Sequence, residues 1–191
     1  MTMRVLRYGD YAAARWPNGK GVVRSIVEGD GWQARLADID GSVPFSDYRG
    51  RLRHFAIVSG AVVLRFASGD AVDCSPGSAI AVYPGAPAPF CELVGTQPAR
   101  AFNLIVDPDR VVGSIERVRV DREAVRIAPD AGPVVAIVVQ AGSVVAFGAG
   151  ARRAGLPVCH FDALAGIAGD GVSRQAPAGE SVVLVARAAP R

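Results

Sequence analysis

The chain has 191 residues, of which 50% are hydrophobic and 20% are charged, and its formal net charge is +3. This composition excludes an intrinsically disordered chain, and the length allows one compact domain or two small ones. The basic residues are spread along the chain, without a run of five and without interleaved aromatic residues, so we predict no nucleic-acid partner.

The cysteines and the N-terminus indicate the compartment. Cys74, Cys91 and Cys159 lie far apart and show no CxxC spacing. An odd number of cysteines, in a chain whose first residues lack the apolar stretch of an export signal, favours a reducing compartment, and we expect a cytoplasmic protein.

One uncharged segment, 131–151, has the length of a membrane span. Its glycines, Pro133 and high valine content favour two buried strands instead, so we expect no membrane partner.

The predicted elements are mostly short strands. Residues 10–15 are predicted as one or two helical turns, capped by Asp10 and stopped by Pro17. Further along, runs of Val, Ile, Phe and Leu alternate with turn residues, with tight turns at 29–31, 59–60 and 68–70. The predicted strands are 22–28, 32–39, 52–58, 61–67, 79–83, 90–94, 102–106, 115–120, 134–139, 143–147 and 182–187. Such spacing predicts an all-β sandwich or barrel.

The chain divides into two predicted units. The sequence Asp-Pro-Asp-Arg at 107–110 marks a break, which gives a first unit of residues 1–108 and a second unit of residues 109–191. Almost all unusual polar and aromatic residues lie in the first unit, where we therefore expect the function. The alternation of side chains in strand 52–58 places Arg53 and His54 on opposite faces, so both cannot enter one cavity unless a bulge intervenes.

Several kinds of chemistry lack the residues they need. The two histidines lie more than a hundred positions apart, and neither has a nearby histidine partner of the kind that metal sites use. The sequence contains no GxSxG elbow and no glycine-rich phosphate loop. We therefore expect neither a metal nor another cofactor.

An anion-binding pocket is the chemistry that remains. Lys20, Arg24, Arg35 and Arg53 lie in or beside the strands of the first unit. An arginine fork holds a carboxylate through two parallel hydrogen bonds, most strongly where water is partly excluded. A single arginine is more often a solvated surface side chain, so we predict the pocket from the four basic residues together and not from any one of them.

Residues 16–26, with the sequence WPNGKGVVRSI, resemble the W-x-N-G-G-G-x-T-x-E-I signature of the HutD/Ves family, bacterial proteins of the cupin superfamily. The resemblance continues in order through 32–37, similar to W-R-x-S-x-A, and 44–50, similar to P-F-S-x-F-P-G. It then includes Arg53, the Phe-Asn pair at 102–103 and the Asp-Ala-Leu run at 162–164. It covers nearly the whole chain, with its most specific motifs in residues 16–103.

The resemblance implies a bicupin, with two β-barrel or jelly-roll units, very little helix and no cupin metal. It implies a non-enzymatic role in binding a small acidic metabolite of histidine breakdown, N-formylglutamate- or urocanate-like, and in regulating histidine utilisation or a stress response. The residues that we predict at the ligand site are Trp16, Asn18, Lys20, Gln33, Arg35, Phe45, Arg53, His54 and Asn103.

The departures from the family pattern predict an altered ligand that is still an anion. Lys20 replaces a glycine of the signature, Gln33 replaces an arginine, and apolar residues replace the aspartates before Arg53 and Phe102. Arg35 lies two residues after Gln33 and therefore on the same strand face, where it can supply the lost charge.

Two other functions stay open at this point. The protein could be a metal-free isomerase or epimerase with His54 as general base and Tyr48 or Tyr83 as acid, which requires a carboxylate that orients His54 inside the cavity. It could also be an interaction module, with a filled barrel and an exposed apolar patch, that dimerises through an edge strand.

Overall fold

The computed structural model describes residues 4–120, 125–127, 132–148, 156–165, 172–175 and 180–191. Within these ranges the chain is almost entirely β-structure, and its helical content is a single 3-10 turn, Tyr8–Asp10. No helical segment there has the length and hydropathy that crossing a bilayer requires. The strands are β1 (Arg4–Leu6), β2 (Ala12–Arg15), β3 (Gly21–Gly29), β4 (Trp32–Ile39), β5 (Val43–Pro44), β6 (Leu52–Ser59), β7 (Val62–Arg65), β8 (Ala71–Cys74), β9 (Ala81–Pro84), β10 (Phe90–Leu93), β11 (Ala99–Val106), β12 (Val111–Val120), β13 (Val125–Ile127), β14 (Val134–Ala141), β15 (Val144–Gly148), β16 (Leu156–Val158), β17 (Ala163–Ala165), β18 (Val172–Gln175) and β19 (Ser181–Pro190).

The chain forms two compact units. The first unit comprises Ala12–Gly113 with Pro190–Arg191, and the second comprises the described parts of Met1–Tyr11 and Ser114–Ala189. In the first unit, a six-stranded sheet has the order β2-β3-β4-β11-β6-β9, and a four-stranded sheet has the order β5-β10-β7-β8. Side chains from both sheets form one hydrophobic core that includes Phe55, Leu64 and Cys91.

The second unit repeats the two-sheet plan with plainer residues. Its five-stranded sheet has the order β1-β17-β14-β19-β12, and its four-stranded sheet has the order β13-β18-β15-β16. The core of this unit is made of valines together with Ile137 and Leu164. β-Branched side chains of this kind pack well on a pleated surface, which suits strands that are buried on one face.

The eleven predicted strands all exist, with ends that differ from the prediction by up to four residues, and the all-β class is confirmed. The prediction of helix at 10–15 is wrong, because Ala12–Arg15 forms β2 and pairs with β3, with Ala14 opposite Val23. A helix of one or two turns gains few hydrogen bonds for the residues it orders, whereas pairing with a long neighbouring strand satisfies the same backbone groups. The sequence did not predict several strands of two to four residues, because so short a run shows no alternation of polar and apolar side chains.

Asp162 connects the N-terminal segment of the second unit to the loop before β17. Its carboxylate accepts hydrogen bonds from Arg7 Nη1 at 2.6 Å, from the Tyr8 backbone nitrogen at 3.0 Å and from the Cys159 backbone nitrogen at 3.1 Å. The side chain is buried, so the two backbone groups depend on Asp162 rather than on water.

Asp162→Ala should therefore lower the free energy of unfolding by about 2–4 kcal/mol, because it leaves two backbone donors without an acceptor. Urea unfolding monitored by circular dichroism measures this loss. Asp73→Ala, which removes an exposed carboxylate from β8, is the matched control and should change stability by less than about 0.5 kcal/mol. Equal effects of the two substitutions would contradict the role assigned to Asp162.

Candidate functional site

The first unit contains a cavity of about 210 Å³ between its six-stranded sheet and the segments that precede β3 and follow β5. The inward-facing side chains of β4, β11 and β6 form its floor, and the segments around Trp16 and Phe45 form its roof. The lining residues are Arg15, Trp16, Pro17, Asn18, Val23, Arg35, Ala37, Pro44, Phe45, Ser46, Tyr48, Arg53, Asn103 and Ile105.

Strand register brings the polar floor residues together. Arg35 on β4 lies directly opposite Asn103 on the adjacent strand β11. On the other side of β11, Arg53 of β6 pairs with Ile105, one inward-facing position further along. Because alternate side chains share a face, these residues all point into the interior of the unit.

Arg53 is a buried cation without a carboxylate partner among the described residues. Its side chain is only 6% exposed, and its Nε and Nη2 both donate to the Asn103 Oδ1, at 3.3 and 2.9 Å. Its guanidinium carbon lies 4.7 Å from the centroid of the Phe45 ring and 5.6 Å from that of Tyr48. A neutral amide and aromatic faces stabilise the charge in part, since both interact with a cation more weakly than a carboxylate does.

Arg35 is a second cation on the same wall. Its Nε is buried and has no hydrogen-bond partner, and it forms no ion pair with a carboxylate of the described chain. Arg24 on the neighbouring strand β3 differs, because it donates to Asp38, which also binds Arg100. The fold thus neutralises Arg24 and leaves Arg35 with its charge.

The electrostatic character of the cavity follows from its lining. Three arginines line it, Arg15, Arg35 and Arg53, and none of its lining residues is acidic. Keeping a guanidinium out of water costs free energy unless a counter-charge or hydrogen-bond acceptors compensate. The cavity is therefore suited to an anion, and its walls of Trp16, Phe45 and Ile105 would exclude water from around it.

Two close contacts hold the roof over the cavity. A Cβ on Gly21 would lie 2.8 Å from the Trp16 ring and 2.4 Å from a backbone oxygen, so only glycine allows Trp16 this position. Trp16 then packs edge-on against Phe45 with 6.0 Å between ring centroids. On the other side, the Tyr48 backbone nitrogen donates to the Gly85 carbonyl oxygen at 2.7 Å, which fixes the turn that carries Tyr48.

The cavity brings together six of the nine residues that the sequence predicts at the site: Trp16, Asn18, Arg35, Phe45, Arg53 and Asn103. Lys20 and Gln33 do not line it. Lys20 lies past the roof segment, and its exposed ammonium group donates to the Ser42 carbonyl oxygen at 3.1 Å. Gln33 precedes Arg35 by one inward-facing position and lines an adjoining, more open cavity of about 600 Å³, which shares Tyr48 and Ile105 with the first cavity. Ligand binding by the six residues stays a prediction.

His54 does not line the cavity either, because it lies on the face of β6 opposite Arg53. It is buried, and its Nε2 has no hydrogen-bond partner. The arrangement required for His54 as a base beside Tyr48 in this cavity is therefore not formed. Tyr83, the other candidate acid, is also absent from the cavity lining and belongs to the core, where burial raises its pKa to about 12.

The sequence prediction missed lining residues of two kinds. Ala37 and Ile105 share strand faces with Arg35 and Asn103, so side-chain alternation alone could have found them. Arg15, Pro44 and Ser46 come from short or irregular segments whose course no periodicity reveals. The described part of the chain contains no group of three or more His, Cys, Asp or Glu residues that could hold a metal ion.

Comparisons with known proteins point to one family. The model of the HutD family matches residues 8–183. Over 116 residues, 56% of this chain, the sequence is 31% identical to an uncharacterised 21.2 kDa Pseudomonas putida protein in the hutC 3′ region. The match spans only 60% of that relative's length.

Several solved structures are similar to this one. A protein of unknown function from Pseudomonas aeruginosa PAO1 is 23% identical, with a TM-score of 0.82, and HutD from Pseudomonas fluorescens SBW25 is 23% identical, with a TM-score of 0.77. Each match covers 100% of both chains. The pirin YhhW of Escherichia coli, in complex with nickel(II), is 12% identical with a TM-score of 0.71, over 98% of this chain and 100% of its own. These likenesses confirm the bicupin class that the sequence resemblance implied.

The position of His54 predicts a pH dependence of stability. Burial lowers the pKa of His54 below its ordinary value of 6.5, so the unfolded chain binds a proton more readily than the folded one. Stability is then highest above about pH 6.5 and declines as the pH falls below it, by at most about 1.4 kcal/mol per pH unit from this group.

Thermal unfolding between about pH 7 and pH 5 tests this expectation. The melting temperature of the wild type should fall more steeply on acidification than that of His54→Gln, which has no group to protonate. His160→Gln, at an exposed position, should follow the wild type. Parallel profiles for His54→Gln and the wild type would show that His54 is not the titrating group.

Proposed function

This chain belongs to the HutD family, and we propose that it is a non-enzymatic protein that binds a small organic acid in the first-unit cavity. The observation that carries the proposal is the buried guanidinium group of Arg53, which has no carboxylate partner within the described chain. A buried cation left in this condition reduces stability, so its position is explained most simply by a ligand that supplies the negative charge.

The cavity has the size of a metabolite site. Its volume of about 210 Å³ corresponds to roughly seven water molecules and lies below the range of drug-sized pockets. Apolar and aromatic side chains form most of the wall, and a few polar groups converge on the floor. This combination binds a small molecule by burying its carbon skeleton and fixing its orientation through the polar groups.

The polar groups on the floor suit a carboxylate. Arg53 uses Nε and Nη2 for Asn103, so its Nη1 has no hydrogen bond to a described residue and remains a donor. Because Asn103 accepts these bonds with Oδ1, its Nδ2 is directed to the other side of the amide and can also donate. A carboxylate accepts hydrogen bonds with both oxygens and would satisfy these donors.

The non-enzymatic part of the proposal rests on the orientation of His54. A general base must come within hydrogen-bond reach of its substrate, and His54 lies on the face of β6 that points away from the cavity. An interaction module would have a filled interior, whereas this interior encloses a cavity with charged walls. Both observations favour binding over the two alternatives.

The biological setting is proposed from the family. The Pseudomonas putida relative is described by its position in the hutC 3′ region, and the family name refers to histidine utilisation. We therefore propose a cytoplasmic, regulatory role related to histidine utilisation, with an N-formylglutamate- or urocanate-like acid as ligand.

Thermal shift assays with urocanate, N-formylglutamate and formate test the proposal. An acid that binds should raise the melting temperature by about 5–10 °C at one hundred times its dissociation constant. Arg53→Met should abolish the shift, while its melting temperature without ligand should stay within a few degrees of that of the wild type, because removal of the buried charge offsets the loss of the two hydrogen bonds that the Asn103 Oδ1 accepts.

Arg65→Gln is the matched control, since Arg65 lies on β7 of the same unit and forms an exposed ion pair with Glu92. It should keep the full ligand-induced shift. The proposal would be abandoned if no acid shifted the wild type, or if Arg53→Met bound as the wild type does. Chromatography of the acids after incubation with the protein should recover them unchanged, and conversion of any of them would contradict the non-enzymatic role.

A further inference from the structure

Lys20 connects the two segments that form the roof of the cavity. It lies directly after the segment that carries Trp16, and its Nζ donates to the carbonyl oxygen of Ser42, which begins the segment that carries Phe45. The distance between Nζ and this oxygen is 3.1 Å. Resting on the proposed function, we infer that Lys20 is a positioning residue, which holds the roof closed and thereby sets the rates at which the ligand enters and leaves.

Both ends of this hydrogen bond are fixed to the sheets of the first unit. The Lys20 backbone nitrogen donates to the Asn18 Oδ1 at 3.0 Å, and its carbonyl oxygen accepts from the Asp40 backbone nitrogen at 3.0 Å. At the other end, the Ser42 Oγ accepts a hydrogen bond from the Leu93 backbone nitrogen of β10 at 2.9 Å. The bond therefore runs from β3 of the six-stranded sheet to a residue that is held by the four-stranded sheet.

The Lys20 side chain adds to the aromatic contact of the roof. Trp16 and Phe45 pack edge-on with 6.0 Å between ring centroids, and such a pair contributes only modestly beyond the area it buries. The aliphatic part of Lys20 passes beside Gly41, where a Cβ would lie 3.7 Å from the Lys20 Cδ. The signature that residues 16–26 resemble has glycine in place of Lys20, and glycine has no side chain with which to reach Ser42.

The position of Lys20 indicates an effect on the movement of the roof and not on the ligand itself. Its side chain is exposed and does not line the cavity, whereas Trp16, Asn18 and Phe45 do. A ligand that passes between the two segments requires them to separate, which breaks the bond from Lys20 to Ser42. Because this bond stabilises the closed roof equally with and without ligand, it should slow association and dissociation by the same factor and leave the dissociation constant unchanged.

Hydrogen exchange of the free protein, measured by NMR, tests whether Lys20 holds the segments together. The bond from the Asp40 backbone nitrogen to the Lys20 carbonyl oxygen breaks when they separate, so the exchange rate of this amide reports the opening. Lys20→Met keeps an aliphatic side chain and loses the donor, and the Asp40 amide should then exchange about fivefold faster. Lys20→Arg should restore the wild-type rate.

The Gly85 amide, which donates to the Arg51 carbonyl oxygen at 2.7 Å, is the internal control and should exchange at the wild-type rate in Lys20→Met. An unchanged rate at Asp40 would overturn the inference without any ligand present. An equal acceleration at Asp40 and Gly85 would also overturn it, because it would show a general loss of stability and not a local opening.

Stopped-flow tryptophan fluorescence with N-formylglutamate tests the effect on ligand exchange. Lys20→Met should raise the association and dissociation rate constants about fivefold each, with the dissociation constant within about twofold of the wild-type value. Lys20→Arg should keep both wild-type rates. Arg65→Gln, which removes an exposed positive charge elsewhere in the unit, should keep them as well.

The failures of this inference and of the proposed function are distinguishable. Slower association and weaker affinity in Lys20→Met would mean that Lys20 attracts the anion by its charge. Unchanged rates would mean that the ligand enters through the adjoining cavity beside Tyr48. Either result overturns the inference and leaves the proposed function standing. If N-formylglutamate, urocanate and formate all fail to bind the wild type, both proposals fail.

Discussion

The cavity depends on the pairing of Arg53 with Asn103 in the interior of the first unit. Two hydrogen bonds to one amide oxygen fix the guanidinium plane, and Phe45 and Tyr48 lie against it. An amide orients the cation without cancelling its charge, whereas an aspartate at that position would form a closed ion pair. Asn103 therefore makes the difference between a structural arginine and one that is available to an anion.

Strand alternation distributes the chemistry of this sheet between its two faces. On β6, Arg53 faces the cavity and His54 faces away, and on β4 the same rule separates Arg35 from the Asp38 carboxylate. As a result, Asp38 and His54 lie behind the sheet, and the cations Arg35 and Arg53, which have no carboxylate partner in the described chain, lie in front of it. A shift of one residue in register would exchange the two sets, so the long antiparallel pairings of β11 with β4 and β6 preserve the site.

The sequence predicted those parts of the site that depend on strand periodicity. Arg35, Arg53 and Asn103 stand within long alternating strands, and the opposed faces of Arg53 and His54 follow from parity alone. Strand periodicity could not place Lys20, because a loop and a hydrogen bond to the carbonyl oxygen of Ser42, which is distant in sequence, set the direction of its side chain. The helix predicted at 10–15 failed for a related reason, because its residues are stabilised by pairing with β3 and not by local preference.

A cavity with uncompensated charge destabilises the unit that contains it, and the surrounding sheet offsets this cost. Phe55 and Ile57 continue the inward face of β6 beyond Arg53 and are almost fully buried, as are Leu36, Phe102 and Leu104 on the opposite face of the sheet. Burying one such side chain stabilises the fold by about 1.5–3 kcal/mol, so a few of them outweigh one unfavourable guanidinium group. Apolar side chains thus bury both faces of the central strands beside the cavity. The buried positive charge that the chain does not compensate lies in the cavity, where an anionic ligand can compensate it.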